Sequence, residues 1–68
     1  MNVLVNGEQH ELADGATVAD VVSSLPGTPQ GRGVAVALDG EVVPRGRWNT
    51  ERLRDGERLE IVVAVQGG

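Results

Sequence analysis

Four turn signals, Asn6-Gly7, Asp14-Gly15, Asp39-Gly40 and Asp55-Gly56, divide this chain of 68 residues into short stretches. Asn-Gly is the strongest short hairpin signal, because both central turn positions take positive φ. Each stretch between the turns is read by its own apolar period. Met1 to Asn6 alternates, with Met1, Val3 and Val5 on one side and Asn2, Leu4 and Asn6 on the other. A period of two predicts a strand. Beyond the Asn6-Gly7 turn, a weakly apolar second strand is expected over roughly Glu8–Leu12, at a sheet edge.

Thr17 to Leu25 has a different period. Val18, Val21, Val22 and Leu25 fall at i, i+3, i+4 and i+7, one apolar stripe of a helix. Thr17 can cap it, Asp20 stands where a capping box puts its acid, and Pro26-Gly27 stops it. A helix this short and this rich in Val and Ser is unstable alone in water, so it must form against a sheet. Pro26–Gly33 then reads as a loop, and Val34–Leu38 as a third strand of small residues. Asp39-Gly40 turns it into Glu41-Val42-Val43, and Pro44, which has no N–H for a ladder, keeps that fourth strand short and at an edge. Arg45–Arg58 is polar, with Trp48 and Leu53 as anchors dipping into the core. The last strand, Leu59–Val65, places Leu59, Ile61, Val63 and Val65 inward and Glu60, Val62 and Ala64 outward. The sum is an α+β domain over residues 1–68, a mixed sheet of about five strands packed on one helix, with a tail at 66–68.

Composition narrows the function. There is no Cys, and Trp48 is the only aromatic residue, so the core rests on Val, Leu, Ile and Ala. Apolar content of 40% with 24% charged residues fits a folded soluble domain rather than a disordered one. No apolar run reaches membrane-spanning length and the N-terminus opens in strand-like sequence, so a cytoplasmic location with no membrane contact is expected. The net charge of −4 argues against nucleic acid, whose binding needs clustered positive charge. That charge is uneven: residues 1–41 carry one Arg against six acids, and residues 42–68 carry five Arg against four. The acidic half could steer the domain to a basic partner, but it serves equally as a solvating surface.

The residues of an enzyme are missing. His10 is the only histidine and nothing pairs with it in sequence, while Tyr, Cys and Lys are absent. Acids and arginines interleave from Arg45 to Glu60 as on a solvated face, and Gly31-Arg32-Gly33 lacks the strand–loop–helix setting of a phosphate loop. No catalytic residue and no metal site is therefore expected.

Chemistry is instead concentrated at Gln66-Gly67-Gly68, beyond the last strand. A glycine-rich end is by itself common; the strand running straight into it gives it meaning. Such a tail reaches about 10 Å when extended, and glycine, without Cβ, lets a backbone enter a slot too narrow for other residues. The only reactive group there is the Gly68 carboxylate. Beside it, Val62 and Ala64, with Leu4 on the same side of the first strand, leave an apolar patch that the single helix does not cover. An uncovered apolar patch next to a reactive tail suggests a docking surface. The chain reads as a substrate on which other enzymes work.

Met1-Asn2-Val3-Leu4-Val5-Asn6-Gly7, Gly15-Ala16-Thr17-Val18, Val34-Ala35-Val36-Ala37-Leu38, Glu41-Val42-Val43-Pro44-Arg45, Trp48, Leu53 to Val62 and the ending Ala64-Val65-Gln66-Gly67-Gly68 together carry a resemblance. Over nearly its whole length the chain resembles the ThiS family, the ubiquitin-like β-grasp sulfur carriers of thiamine biosynthesis. The Ala-Val-Gln-Gly-Gly ending is fairly specific. Terminal Gly-Gly alone is not, since the related small subunit of molybdopterin synthase shares it. The Pro26–Gly33 loop is a mild departure in length.

The resemblance implies that Gly68 is adenylated by a ubiquitin-activating-like adenylyltransferase and then converted to a thiocarboxylate. The sulfur would come from a donor such as a cysteine desulfurase persulfide and pass to thiazole synthase for the thiazole ring. Gln66 and Gly67 would thread the partner's active site, and Leu4, Val62 and Ala64 would dock on its surface. ATP and magnesium would belong to the activating enzyme, leaving this chain without a cofactor and monomeric when free. With neither Lys nor Cys, a sibling molecule offers no lysine amine or cysteine thiol for an activated Gly68 to acylate, which leaves the Met1 amine. A sulfur carrier of the molybdopterin-synthase type and a ubiquitin-like protein modifier are the rival readings.

Overall fold

The structure, a computed structural model, describes residues 1–25 and 33–63. Its elements follow in the order β1 (Asn2–Val5), β2 (Glu8–Glu11), α1 (Val18–Ser24), β3 (Val34–Leu38), β4 (Glu41–Val43) and β5 (Arg58–Val63). The strands form one five-stranded sheet in the order β2-β1-β5-β3-β4. β1 and β5 run parallel at its centre and every other pair is antiparallel, so the sheet is mixed as expected.

Turn chemistry builds the two hairpins. Asn6 and Gly7 take φ of 51° and 84°, and Asp39 and Gly40 take 48° and 86°. Positive φ at both central residues matches the right-handed twist of the flanking strands. The turns set the registers: Val5 faces Glu8 across the first hairpin, and Leu38 faces Glu41 across the second. Both outer strands are edges. β2 is polar throughout (Glu-Gln-His-Glu) and β4 is three residues long before Pro44, two ways of discouraging edge-to-edge association.

The helix starts where its capping box predicts. Asp20 N–H donates to the Thr17 hydroxyl at 3.3 Å, and Thr17 N–H donates to the Asp20 carboxylate at 2.9 Å. A helix N-terminus leaves its first N–H groups without internal partners. Here Val18 N–H donates to the Glu51 carbonyl and Ala19 N–H to the Trp48 carbonyl, so the polar 45–53 segment completes the cap. That segment opens with a single 3₁₀ turn, Arg45–Arg47, and drops Trp48 and Leu53 into the core. The Trp48 indole N–H donates to the Val43 carbonyl at 2.9 Å, which lets the only aromatic ring be buried without stranding its polar atom.

The core lies between one face of the sheet and the helix. Val3, Val5, Val36, Val43, Leu59 and Ile61 meet Val18, Val21 and Val22, with Trp48 and Leu53 closing one side. Two details differ from the sequence reading. β2 ends at Glu11, and Leu12 is tied instead through its N–H to the Met1 carbonyl at 2.8 Å. Val63 faces inward by parity yet is 43% exposed. A helix of seven residues spans about 10 Å, while the six residues of β5 extend about 20 Å, so the helix is too short to cover the whole strand. Val65, also expected inward, lies outside the described residues.

Candidate functional site

The outer face of the sheet, opposite the helix, can be read strand by strand from the registers. On β1 it shows Asn2 and Leu4, and across from them on β2 stand Glu11 and Gln9. Leu4 pairs with Arg58 on β5, and alternation then brings Glu60 and Val62 to the same side. Val62 faces Ala35 on β3, Glu60 faces Ala37, and Ala37 in turn faces Val42 on β4.

This face has two halves. Towards β1 and β2 it is polar, and Leu4 stands half-buried between two shallow hollows. One is lined by Asn6, Gly7, Arg58 and Glu60, the other by Asn2, Gln9, Asp55 and Gly56. Towards β3 and β4 it is apolar: Ala35, Ala37, Val42 and Val62, with Val42 76% and Val62 64% exposed. Among the described residues, no cluster of three or more His, Cys, Asp or Glu could hold a metal, and no helix is long and apolar enough to cross a membrane.

β5 carries the chain towards the glycine ending, and its hydrogen bonds show where it is held. Along one edge it pairs with β3 as far as Val63. Along the other, β1 pairs only with Arg58 and Leu59. The main chain of β1 turns away at Asn6, but the Asn6 side chain continues in its place. Ile61 N–H donates to Asn6 Oδ1 at 2.8 Å, and Asn6 Nδ2 donates to the Ile61 carbonyl at 3.1 Å. At the opposite end of the strand, Arg58 N–H donates to Asp39 Oδ1 at 2.9 Å. The residues that turn the two hairpins therefore also clamp β5, from opposite sides.

Of the residues expected at the site, Ala64, Gln66, Gly67 and Gly68 lie outside the described residues. Leu4 and Val62 share the outer face but do not meet. Leu4 stands opposite Arg58, four residues before Val62, a separation of about 13 Å along the strand. Val62 instead faces Ala35, with Ala37 diagonal to it and Val42 beyond Ala37 on β4, residues that the sequence reading did not single out. The period of β3 held the signal, since Ala35 and Ala37 fall on the parity opposite Val34, Val36 and Leu38. The Asn6 clamp had no sequence signal beyond its turn.

Comparison with known proteins agrees with this geometry. Residues 3–68 match the model of the ThiS family. The Escherichia coli K12 sulfur carrier protein ThiS is 28% identical over 68 residues, all of both chains. A thiazole synthase of Paramagnetospirillum magneticum is 32% identical over 68 residues, and the chain spans about a fifth (20%) of that protein. The crystal structure of the thiamine biosynthesis protein ThiS from Geobacter metallireducens superimposes with a TM-score of 0.81 at 31% identity, covering all of both chains. The five strands and one helix are thus a ubiquitin-like β-grasp, and the chain belongs to the ThiS family, the sulfur carriers of thiamine biosynthesis, which carry a group rather than catalyse a reaction.

Proposed function

We propose that the Gly68 carboxylate is the group that carries the sulfur. The observation that carries this reading is the family match through Gly68, together with the end-to-end alignment with the Escherichia coli carrier. A carboxylate is ionised at neutral pH and is a poor electrophile. Activation therefore comes first. A Gly68 oxygen attacks the α-phosphorus of ATP in a ubiquitin-activating-like adenylyltransferase, and pyrophosphate leaves. A persulfide sulfur, such as one held by a cysteine desulfurase, then attacks the acyl carbon and AMP leaves. Two electrons from a thiol cleave the resulting S–S bond, leaving a thiocarboxylate on Gly68. Thiazole synthase consumes that sulfur; the stretch similar to this chain within a thiazole synthase supports such a pairing.

Each part of the chain has a role in this scheme. Gly67 keeps the threading segment slim and free in φ, and Gln66 adds backbone hydrogen bonds in the partner's groove. Ordering each tail residue costs about 1–2 kcal/mol, so the folded body supplies docking energy through its outer face. Val62, Ala64 and Leu4 belong to that surface, with Ala35, Ala37 and Val42 extending it. ATP and magnesium belong to the activating enzyme. The carrier works in the cytoplasm, as a monomer between encounters.

Intact-mass measurement tests the scheme. The pure protein is incubated with ATP, an adenylyltransferase and a sulfur donor already active on the Escherichia coli carrier. One oxygen exchanged for sulfur, located on the C-terminal peptide, is the expected result. An unchanged mass while the Escherichia coli carrier is converted in parallel overturns it, and a conjugate to another protein points to a modifier instead.

A further inference from the structure

We propose that Asn6 is a positioning residue: its carboxamide fixes the root of the segment that delivers Gly68 to its partner. The inference rests on the carrier reading above and adds to it a residue far from Gly68 in sequence.

The geometry sets an unusual demand at this one position. β5 leaves β1 behind after Leu59, and the next backbone groups facing that side belong to Ile61. One N–H and one C=O there need an acceptor and a donor. A carboxamide supplies both, and Asn6 makes both bonds. Both backbone groups of Ile61 are thereby held on the β1 side, across the strand from its register partner Val36, and among the described residues Ile61 is the last of β5 held on that side. Gly68 stands seven positions beyond Ile61, a reach of at most about 25 Å. The direction in which that reach is spent is set at its root.

The other hairpin supplies an internal control. Asp39 adopts nearly the same backbone as Asn6, with φ of 48° against 51°. Its carboxylate accepts from Arg58 N–H, a single donor. An acid suffices there. At position 6 it would accept from Ile61 N–H but could not donate to the Ile61 carbonyl, and its charge would face that oxygen. The turn tolerates Asn, Asp or Gly; the clamp on Ile61 accepts only Asn.

Two variants separate clamp from turn. Asn6→Gly keeps the left-handed backbone and removes both bonds; Asn6→Asp keeps the turn and one bond. Val21→Ala, in the core under the helix, serves as a control for lost stability alone. Amide hydrogen exchange reads the clamp without any enzyme. In Asn6→Gly, Ile61 is expected to lose at least about tenfold more protection than Leu59. ATP–pyrophosphate exchange with an adenylyltransferase active on the Escherichia coli carrier reads the consequence. KM for the carrier is expected to rise about tenfold in Asn6→Gly, the equivalent of ordering one more residue, and by less in Asn6→Asp. The kcat should stay within about twofold in both, and Val21→Ala should leave KM unchanged. Equal loss of protection at Ile61 and Leu59, or an unchanged KM in Asn6→Gly, overturns the proposal. A wild-type chain that is never adenylated sinks the carrier reading instead, and the exchange data still decide whether Asn6 holds Ile61.

Discussion

On the helix side of the sheet, Val3, Val36 and Leu59 are each 1% exposed; on the other side, Val42 and Val62 are 76% and 64% exposed. The side chains are nearly the same and all belong to one sheet. Parity alone separates them, because successive strand residues point to opposite faces. The chain has one described helix, enough to cover one face. The inner face therefore holds the fold, each buried Val or Leu contributing about 1.5–3 kcal/mol as an upper bound. The outer valines contribute little to folding, and a partner can cover them without disturbing the core. If this division is right, substitutions on the two faces should fail in different assays.

The largest effect belongs to the centre of the inner face. Val21 is 2% exposed and packs where no polar group can answer a charge. Val21→Asp should abolish the cooperative thermal transition seen by circular dichroism, because a domain of this size has about 3–10 kcal/mol to lose and an unpaired buried carboxylate costs several. A variant that still melts cooperatively near the wild-type temperature would mean that the helix does not seal this face. Trp48→Ala comes next, at about 3–5 kcal/mol in denaturant titration. It removes the ring that closes the side of the core and the donor to the Val43 carbonyl. Trp48→Phe keeps most of the ring and should lose about 1–3 kcal/mol, the cost of leaving a buried acceptor without its donor.

The inner face was readable in the sequence because its signals are local. The Val18, Val21, Val22 and Leu25 stripe, the Thr17–Asp20 capping box and the two turn pairs each depend on residues a few positions apart, and each determines one element. Val63 has the parity that alternation assigns but is 43% exposed, because alternation carries no information on how far a helix reaches. The site was less legible for a related reason. The outward position of Val62 follows from its own strand, but Ala35, Ala37 and Val42, which share its half of the face, come from strands whose order only the fold supplies. Leu4 was grouped with Val62 on parity, whereas the register sets them about 13 Å apart. Asn6 showed its turn and hid its clamp, since Ile61 is 55 residues away.

Thr17→Ala should cost less than either core change, about 1 kcal/mol in the same titration. The Asp20 N–H loses its hydroxyl acceptor, while the reverse bond from Thr17 N–H to the Asp20 carboxylate survives the change. A loss above about 3 kcal/mol would show that the capping box also supports the 45–53 segment, which reaches the same turn through Val18 N–H and Ala19 N–H.

The smallest change in stability, and the most informative, is expected on the outer face. Val62→Arg and Val42→Arg each place a charge where solvent already reaches, so stability should move by no more than about 0.5 kcal/mol. A partner that covers these residues meets an unpaired charge in an apolar contact, and its affinity should fall about tenfold or more. Titration calorimetry or adenylation KM measures that fall while the melting curve stays in place. Leu4→Arg then locates the centre of the surface. Docking centred on β3, β4 and the end of β5 makes Val42→Arg and Val62→Arg equivalent and leaves Leu4→Arg mild, because Leu4 already stands among Arg58, Gln9 and Asn2. Docking centred on the hollows beside β1 reverses that order. Since all three residues point the same way, only the difference between their effects can say which half of the face a partner covers.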